Sequence, residues 1–322
     1  MKEKDLPNTN SDRRNFLKMG LLAGGATIAG VALNAAAGGD KATGEKVKAL
    51  TTDGKLIEVD SGLMEESHEH KKPCGDEINY RQGIPGKSFV MVIDLARCKN
   101  ARKCVSKCQD MHGLPVEDEW MKVFLMQDST DTAPYWFPKP CFHCNQPPCV
   151  KVCPVGATYK RSDGLVLIDN ERCIGCKFCM TACPYSSRVF QWKDPEQPEK
   201  MEHACYTPES SVPSRVGTVG KCDFCPDMAR KGILPDCVTG CPNGTIFFGD
   251  KKEDIITNGS ETFRFSELVH DRAGYHFMAE LGTEPNVYYL PPVERLFDYE
   301  TGFDNLTDEQ KVFYRNSIVK KH

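Results

Sequence analysis

Apolar positions along the chain fall into short runs of strand length separated by turn signals. Runs at 89–93 and 165–168 are continuous, and strand-like stretches recur at 156–159, 187–192 and 244–248. Asp163-Gly164, between two such stretches, predicts a hairpin, because both residue types tolerate the backbone angles of a tight turn. A second hairpin is predicted from 47–51 and 55–59 around Asp53-Gly54. Polar segments punctuate the pattern: 65–72 is hydrophilic, and 194–220 is rich in Pro, Ser and charge and reads as an inserted loop. Beyond Asp250 come Pro291-Pro292 and scattered aromatics, a tail expected to wrap a partner or to cover the rest of the chain.

One longer apolar stretch, 19–33, lies near the amino terminus and is rich in Gly and Ala. It follows Ser11-Asp12-Arg13-Arg14-Asn15-Phe16-Leu17-Lys18, a twin-arginine pattern, and precedes Ala35-Ala36-Ala37, small residues suited to signal peptidase. The stretch is short and glycine-broken for a membrane span. Residues 1–37 are therefore expected to be a Tat signal peptide, with the protein on the periplasmic or extracytoplasmic face of the membrane. The Tat route carries folded proteins, so a cofactor is inserted before export. No run of 18 apolar residues occurs elsewhere, and no further span is expected.

The formal net charge is −4, from Lys+Arg 41 against Asp+Glu 45, which leaves no basic field to attract nucleic acid. Cysteine changes the picture, with 17 residues against 8 His. Disulfides fit poorly, because the cysteines bunch within a few residues of one another and such neighbours close no useful loop. Four groups emerge: Cys98, Cys104 and Cys108; Cys141, Cys144, Cys149 and Cys153; Cys173, Cys176, Cys179 and Cys183; Cys222, Cys225, Cys237 and Cys241. The last three each close on Cys-Pro, at Pro154, Pro184 and Pro242.

The third group reads C-x2-C-x2-C-x3-C-P, the run of bacterial ferredoxins. Three closely spaced thiolates on a tight loop reach three corners of one cubane, and the fourth, turned away by proline, faces a neighbouring cluster. Zinc sites use pairs of cysteines, whereas three of these groups are quartets. Neither a C-x-x-C-H haem attachment nor a radical-SAM triplet is present. Iron–sulfur clusters are the expected cofactors. The repeated order of strand, cysteine loop, short helix and strand predicts an α+β fold of two ferredoxin-like dicluster modules, with loop-rich insertions and irregular N- and C-terminal extensions. The expected division is a signal peptide at 1–37, an N-terminal extension at 38–86, the four-cluster domain at 87–250 with its insert at 194–220, and a C-terminal extension at 251–322.

The ordered groups, with Cys141-Phe142-His143-Cys144-Asn145-Gln146-Pro147-Pro148-Cys149 and Arg172-Cys173-Ile174-Gly175-Cys176, resemble the four-cluster iron–sulfur subunits of the DMSO-reductase and NrfC type. The resemblance spans roughly 88–250 and implies crossed ligands. One cluster would take Cys141, Cys144, Cys149 and Cys183, and its mate Cys173, Cys176, Cys179 and Cys153. A third would take Cys222, Cys225, Cys237 and Cys108. The last would take Cys98, Cys104 and Cys241 with the residue at position 101, where Ala101 replaces the thiolate the family pattern demands. Three [4Fe-4S] clusters and one [3Fe-4S] cluster follow. A non-cysteine ligand such as Asn100 or a water, or an empty site, are the alternatives at Ala101. Cys74 and Cys205 fall outside the groups and read as unliganded thiols, with Cys205 a conceivable rescue ligand. His143 reads as a packing or hydrogen-bonding residue.

By the same resemblance the chain passes single electrons between an NrfD-like, quinone-interacting integral membrane subunit and a molybdopterin or multihaem cytochrome subunit. It would be a non-catalytic part of a membrane-associated respiratory complex. A free periplasmic electron carrier is the rival reading, as is an enzyme that binds substrate at an open iron.

Overall fold

The computed structural model describes residues 46–50, 56–60, 78–193, 206–210 and 215–318. The twin-arginine segment, Cys74 and Cys205 lie outside these. The chain divides into two units, Met1–His70 and Lys71–His322. In the first, β1 (Lys46–Leu50) and β2 (Leu56–Asp60) pair antiparallel with Leu50 opposite Leu56, the hairpin expected around Asp53-Gly54.

The second unit begins its regular structure with β3 (Phe89–Asp94) and a helix, α1 (Lys103–His112). Two strands follow, β4 (Lys122–Met126) and β5 (Tyr135–Lys139), paired as a hairpin. Next come α2 (Pro148–Lys151), β6 (Thr158–Lys160), β7 (Val166–Ile168) and α3 (Phe178–Thr181). Then β8 (Val189–Phe190) and β9 (Val219–Gly220) pair, followed by α4 (Pro226–Arg230), α5 (Asp236–Thr239) and β10 (Ile246–Asp250). The predicted hairpin at Asp163-Gly164 joins β6 to β7, with Thr158 opposite Ile168.

Strand β3 is buried on both faces, as its unbroken apolar run requires. Alternate side chains feed two different cores. Phe89, Met91 and Ile93 join the large core that also holds Cys104, Cys141, Cys144, Cys222 and Cys237. Val90 and Val92 face the other way, toward Phe247, Ile256, Leu268 and Leu290. One face of the sheet thus backs the cysteine loops, and the other is closed by later elements.

Those elements come from the segment after Asp250. Strands β11 (Ile255–Thr257) and β12 (Thr262–Arg264) extend the sheet beyond β10, and α6 (Phe265–Asp271) supplies Leu268. Strand β13 (Val287–Leu290) pairs parallel with β3, giving the order β12-β11-β10-β3-β13. Strands of three or four residues are too short to show alternation, so only pairing with β3 and β10 makes them visible. The last described helix is α7 (Asp308–Ser317), started by a Thr307–Gln310 capping box. Among the described residues no helix is long and apolar enough to cross a membrane.

A buried ionic knot fastens the β6–β7 hairpin. Arg161 pairs with Asp163 and Glu209 while donating to the Tyr80 carbonyl, and Asp163 accepts from the Ile84 N–H at 2.9 Å. Glu209, within the predicted insert, is held again by Arg230 at 2.8 Å. The insert is therefore tied to the hairpin at this point.

Candidate iron–sulfur sites

Each cysteine group builds the same local turn. The residue two places after the first cysteine is left-handed in all four: Asn100 (φ 56), His143 (φ 44), Gly175 (φ 67) and Phe224 (φ 66). That conformation is costly for residues other than glycine and persists only where the surroundings enforce it. His143 and Phe224 enforce each other, with ring centroids 3.9 Å apart. Asn100 is pinned by its Nδ2, which donates to the Gly302 carbonyl at 3.0 Å. Gly175 has a second reason to be glycine, since a Cβ there would lie 2.1 Å from the Gly217 carbonyl oxygen. The first group keeps this turn although Ala101 lacks a thiol.

After the turn, the next-to-last cysteine of each group opens a helix, and the last lies four residues on. Cys104 and Cys108 both belong to α1, one turn apart. Cys149, Cys179 and Cys237 sit in α2, α3 and α5, and Cys153, Cys183 and Cys241 just beyond those helices' ends. A turn of helix carries the last thiol out of reach of those before it. Helix α1 packs against α5, and α2 against α3, so each last cysteine enters its neighbour's loop.

Four cavities result. One is lined by Cys141, Cys144, Cys149 and Cys183, a second by Cys153, Cys173, Cys176 and Cys179, and a third by Cys108, Cys222, Cys225 and Cys237. The fourth is lined by Cys98, Cys104 and Cys241 with Asn100, Ala101 and Arg102. The cavity beside Ala101 persists with three thiols in its lining.

The cavities stand in a row. Arg188 faces both Cys149 and Cys179, and so joins the second cavity to the first. Cys222 of the third is pushed up to about 12 by burial, then by Asp223 and by Cys141 of the first. Burial likewise raises Cys237 well above a normal thiol, with Cys222 and then Cys104 of the fourth cavity adding to it. The order along the row is second, first, third, fourth. At the near end Cys176 is exposed, beside exposed Ile174, Phe178 and Trp192.

Burial dominates the chemistry of the thiols. It drives Cys104 and Cys144 to about 12 and Cys98, Cys108 and Cys225 upward too, with neighbouring thiols resisting ionisation further. Such groups ionise together only when a cation replaces their protons, and a set of soft sulfur donors selects iron or zinc. Cys153 is the exception. Burial pushes it up, but the N–H groups of Thr158, Val155 and Ala157 outweigh that and bring it below a normal thiol. The Thr158 N–H lies 3.4 Å from Cys153 Sγ, and the Thr245 N–H stands 3.4 Å from Cys241 Sγ in the same way. Amide donors aimed at ligand sulfur suit an anionic cluster. The residues fit iron–sulfur groups.

Several contributors escape the cysteine pattern. His112, one turn after Cys108 on α1, is buried with Nε2 3.8 Å from Cys225 Sγ and 3.6 Å from Asp223 Oδ1. His143 uses both ring nitrogens: Nδ1 accepts from the Val166 N–H and Nε2 donates to the Cys222 carbonyl, each at 3.0 Å. It spans two modules as a neutral imidazole, its pKa pulled well down by burial first and then by Lys221, and it is no ligand. Lys160 stitches the Cys144 loop to the hairpin, donating to the Cys144 and Gly164 carbonyls at 2.8 Å.

The carboxy-terminal segment packs against residues that flank the Ala101 cavity. The Leu296 N–H donates to the Ala96 carbonyl at 3.1 Å, and Lys99 Nζ stands 4.7 Å above the Phe297 ring. Trp136 Nε1 donates to the Tyr299 carbonyl at 2.7 Å. Gly302 presses so close that a Cβ would lie 2.5 Å from Asn100 Cβ and 2.7 Å from the Trp136 ring. Asn100 Oδ1 is buried without a hydrogen-bond partner.

Comparison with known proteins agrees with this chemistry. A 4Fe-4S dicluster domain matches residues 132–207. A selenate reductase subunit of Mesobacillus selenatarsenatis is 33% identical over 297 residues, which is 87% of this chain and 97% of that protein. The iron–sulfur cluster-binding subunit of Nitratidesulfovibrio vulgaris menaquinone reductase is 35% identical, over 62% of this chain and 87% of its own length. A tetrathionate reductase subunit of Salmonella typhimurium is 32% identical, over 65% of this chain and 74% of its own length. The chain belongs to the family of iron–sulfur electron-transfer subunits of respiratory reductase complexes, of the DMSO-reductase and NrfC type.

Proposed function

We propose that the chain conducts electrons singly along four clusters between an NrfD-like, quinone-interacting membrane subunit and a molybdopterin or multihaem cytochrome subunit. It works on the extracytoplasmic face of the membrane after Tat export and catalyses nothing by itself. The assigned ligands are Cys141, Cys144, Cys149 and Cys183; Cys153, Cys173, Cys176 and Cys179; Cys108, Cys222, Cys225 and Cys237; and, for a [3Fe-4S] cluster, Cys98, Cys104 and Cys241. A bound iron–sulfur cluster supplies reversible one-electron uptake. The protein's own residues do the rest: the loops hold the thiols, the cores exclude water, and the amides near Cys153 and Cys241 offset charge.

The observation that carries this reading is the row of four cysteine-lined cavities with an exposed thiol at one end. A conduit needs centres in line and a terminus at the surface, and the apolar residues around Cys176 suit a docked partner. A carboxy-terminal segment packed against the residues beside the other end favours a fixed subunit over a diffusing carrier.

The test is EPR of anaerobically purified protein, oxidised and then reduced, with iron and sulfide counted on the same sample. The expected result is an oxidised-state signal that vanishes on reduction, with iron enough for three further cubanes. An EPR-silent oxidised sample carrying four cubanes would replace the three-iron assignment, and zinc in place of iron would end the conduit reading.

A further inference from the structure

Among the described residues two arginines are buried, Arg161 and Arg188, and only Arg161 has a carboxylate partner there. Arg161 is paired with Asp163 and Glu209. Arg188, five residues after Cys183, is 5% exposed, yet no carboxylate among the described residues lies within ion-pair distance of it. Its Nη1 donates to Thr158 Oγ1 at 3.2 Å, and its Nη2 is buried with no oxygen or nitrogen partner. A guanidinium cannot shed its proton in a protein, so an interior position without an anion is strongly unfavourable. Something anionic must face it.

What face it are thiols of two different cavities. Arg188 lines the cavity of Cys141, Cys144, Cys149 and Cys183. Its hydrogen-bond partner Thr158 lines the neighbouring cavity of Cys153, Cys173, Cys176 and Cys179, so the guanidinium stands between the two. The geometry points to Arg188 as the shared counter-ion of two clusters, a fixed positive charge between them that raises both reduction potentials and eases the electron's passage from one to the other. The step is a bare electron transfer. One cluster loses an electron and its neighbour gains it, no bond is made or broken, and no proton moves. A charge between donor and acceptor would stabilise the reduced form on either side. Arg188 is a positioning charge and contacts no substrate. The inference rests on reading the four cavities as cluster sites.

The experiment uses the full-length holoprotein and its Arg188→Met and Arg188→Lys variants, prepared anaerobically. Iron and sulfide are counted first, and each sample is then titrated potentiometrically with EPR detection. At wild-type iron content, R188M should shift two midpoints to more negative values and leave the others in place, with a smaller shift in R188K. Loss of iron in R188M that R188K restores would equally support a counter-ion. Unchanged midpoints at full iron, a uniform shift of all centres, or equal iron loss in both variants would overturn it. A wild-type protein without iron would instead overturn the cluster reading itself.

Discussion

Ala101→Cys offers the sharpest perturbation, because it adds one thiol to a cavity already lined by three. The turn that would present the new sulfur already exists, with Asn100 at φ 56 like its counterparts in the other groups. The variant is expected to bind one more iron per chain and to lose the oxidised-state EPR signal. The added iron is positive and the added thiolate negative, so their charges largely offset, and the thiolate acts chiefly by holding the fourth iron. Cys98 and Cys104 on either side are removed from water, so an effective dielectric of ~20 applies; a thiolate at ~4 Å then attracts a unit positive charge by about 4 kcal/mol. Iron analysis and an EPR-monitored titration of wild type and variant in parallel supply the assay. An A101C protein that keeps the wild-type iron count and oxidised-state signal would refute the argument that position 101 decides the cluster type.

Three further outcomes follow from other parts of the molecule. Gly302→Val should drive its side chain into Asn100 and Trp136, disturb the Asn100 turn beside the Ala101 cavity, and speed iron loss from that site in a chelator time course. Arg161→Met leaves Asp163 buried without its counter-charge, while Glu209 keeps Arg230, and should cost about 3–5 kcal/mol in unfolding measurements, partly recovered in the R161M/D163N double variant. His276, 4.1 Å from the Tyr288 ring, has its pKa lowered by burial first and by Lys251 second. The unfolded chain then binds the proton more readily, so stability should fall as pH drops below 6.5 and level off beneath the folded pKa; thermal melts of His276→Phe should lack that component.

Much of the fold was legible because it is local. The Asp163-Gly164 and Asp53-Gly54 hairpins follow from turn chemistry, and the continuous run of β3 announces a strand buried on both faces. The contribution of the last seventy residues was not. Val287–Leu290 is recognisable as a strand only once β3 offers it an edge, and Gly302 gives no hint in sequence that it must approach Trp136. Likewise Arg188, His112 and Asp223 carry no spacing signal that separates them from ordinary surface residues.

What the sequence by itself determined is the chemistry: soft thiol ligands in tight loops, one thiol short at Ala101, spaced by the reach of a turn and a single turn of helix. Those are short-range constraints, set by bond geometry within a few residues. Only the tertiary structure decided which loop each last cysteine enters, in what order the cavities stand, and that a guanidinium without a carboxylate sits between two of them. Those depend on which helices pack together and on what burial does to charge, and no local spacing encodes either.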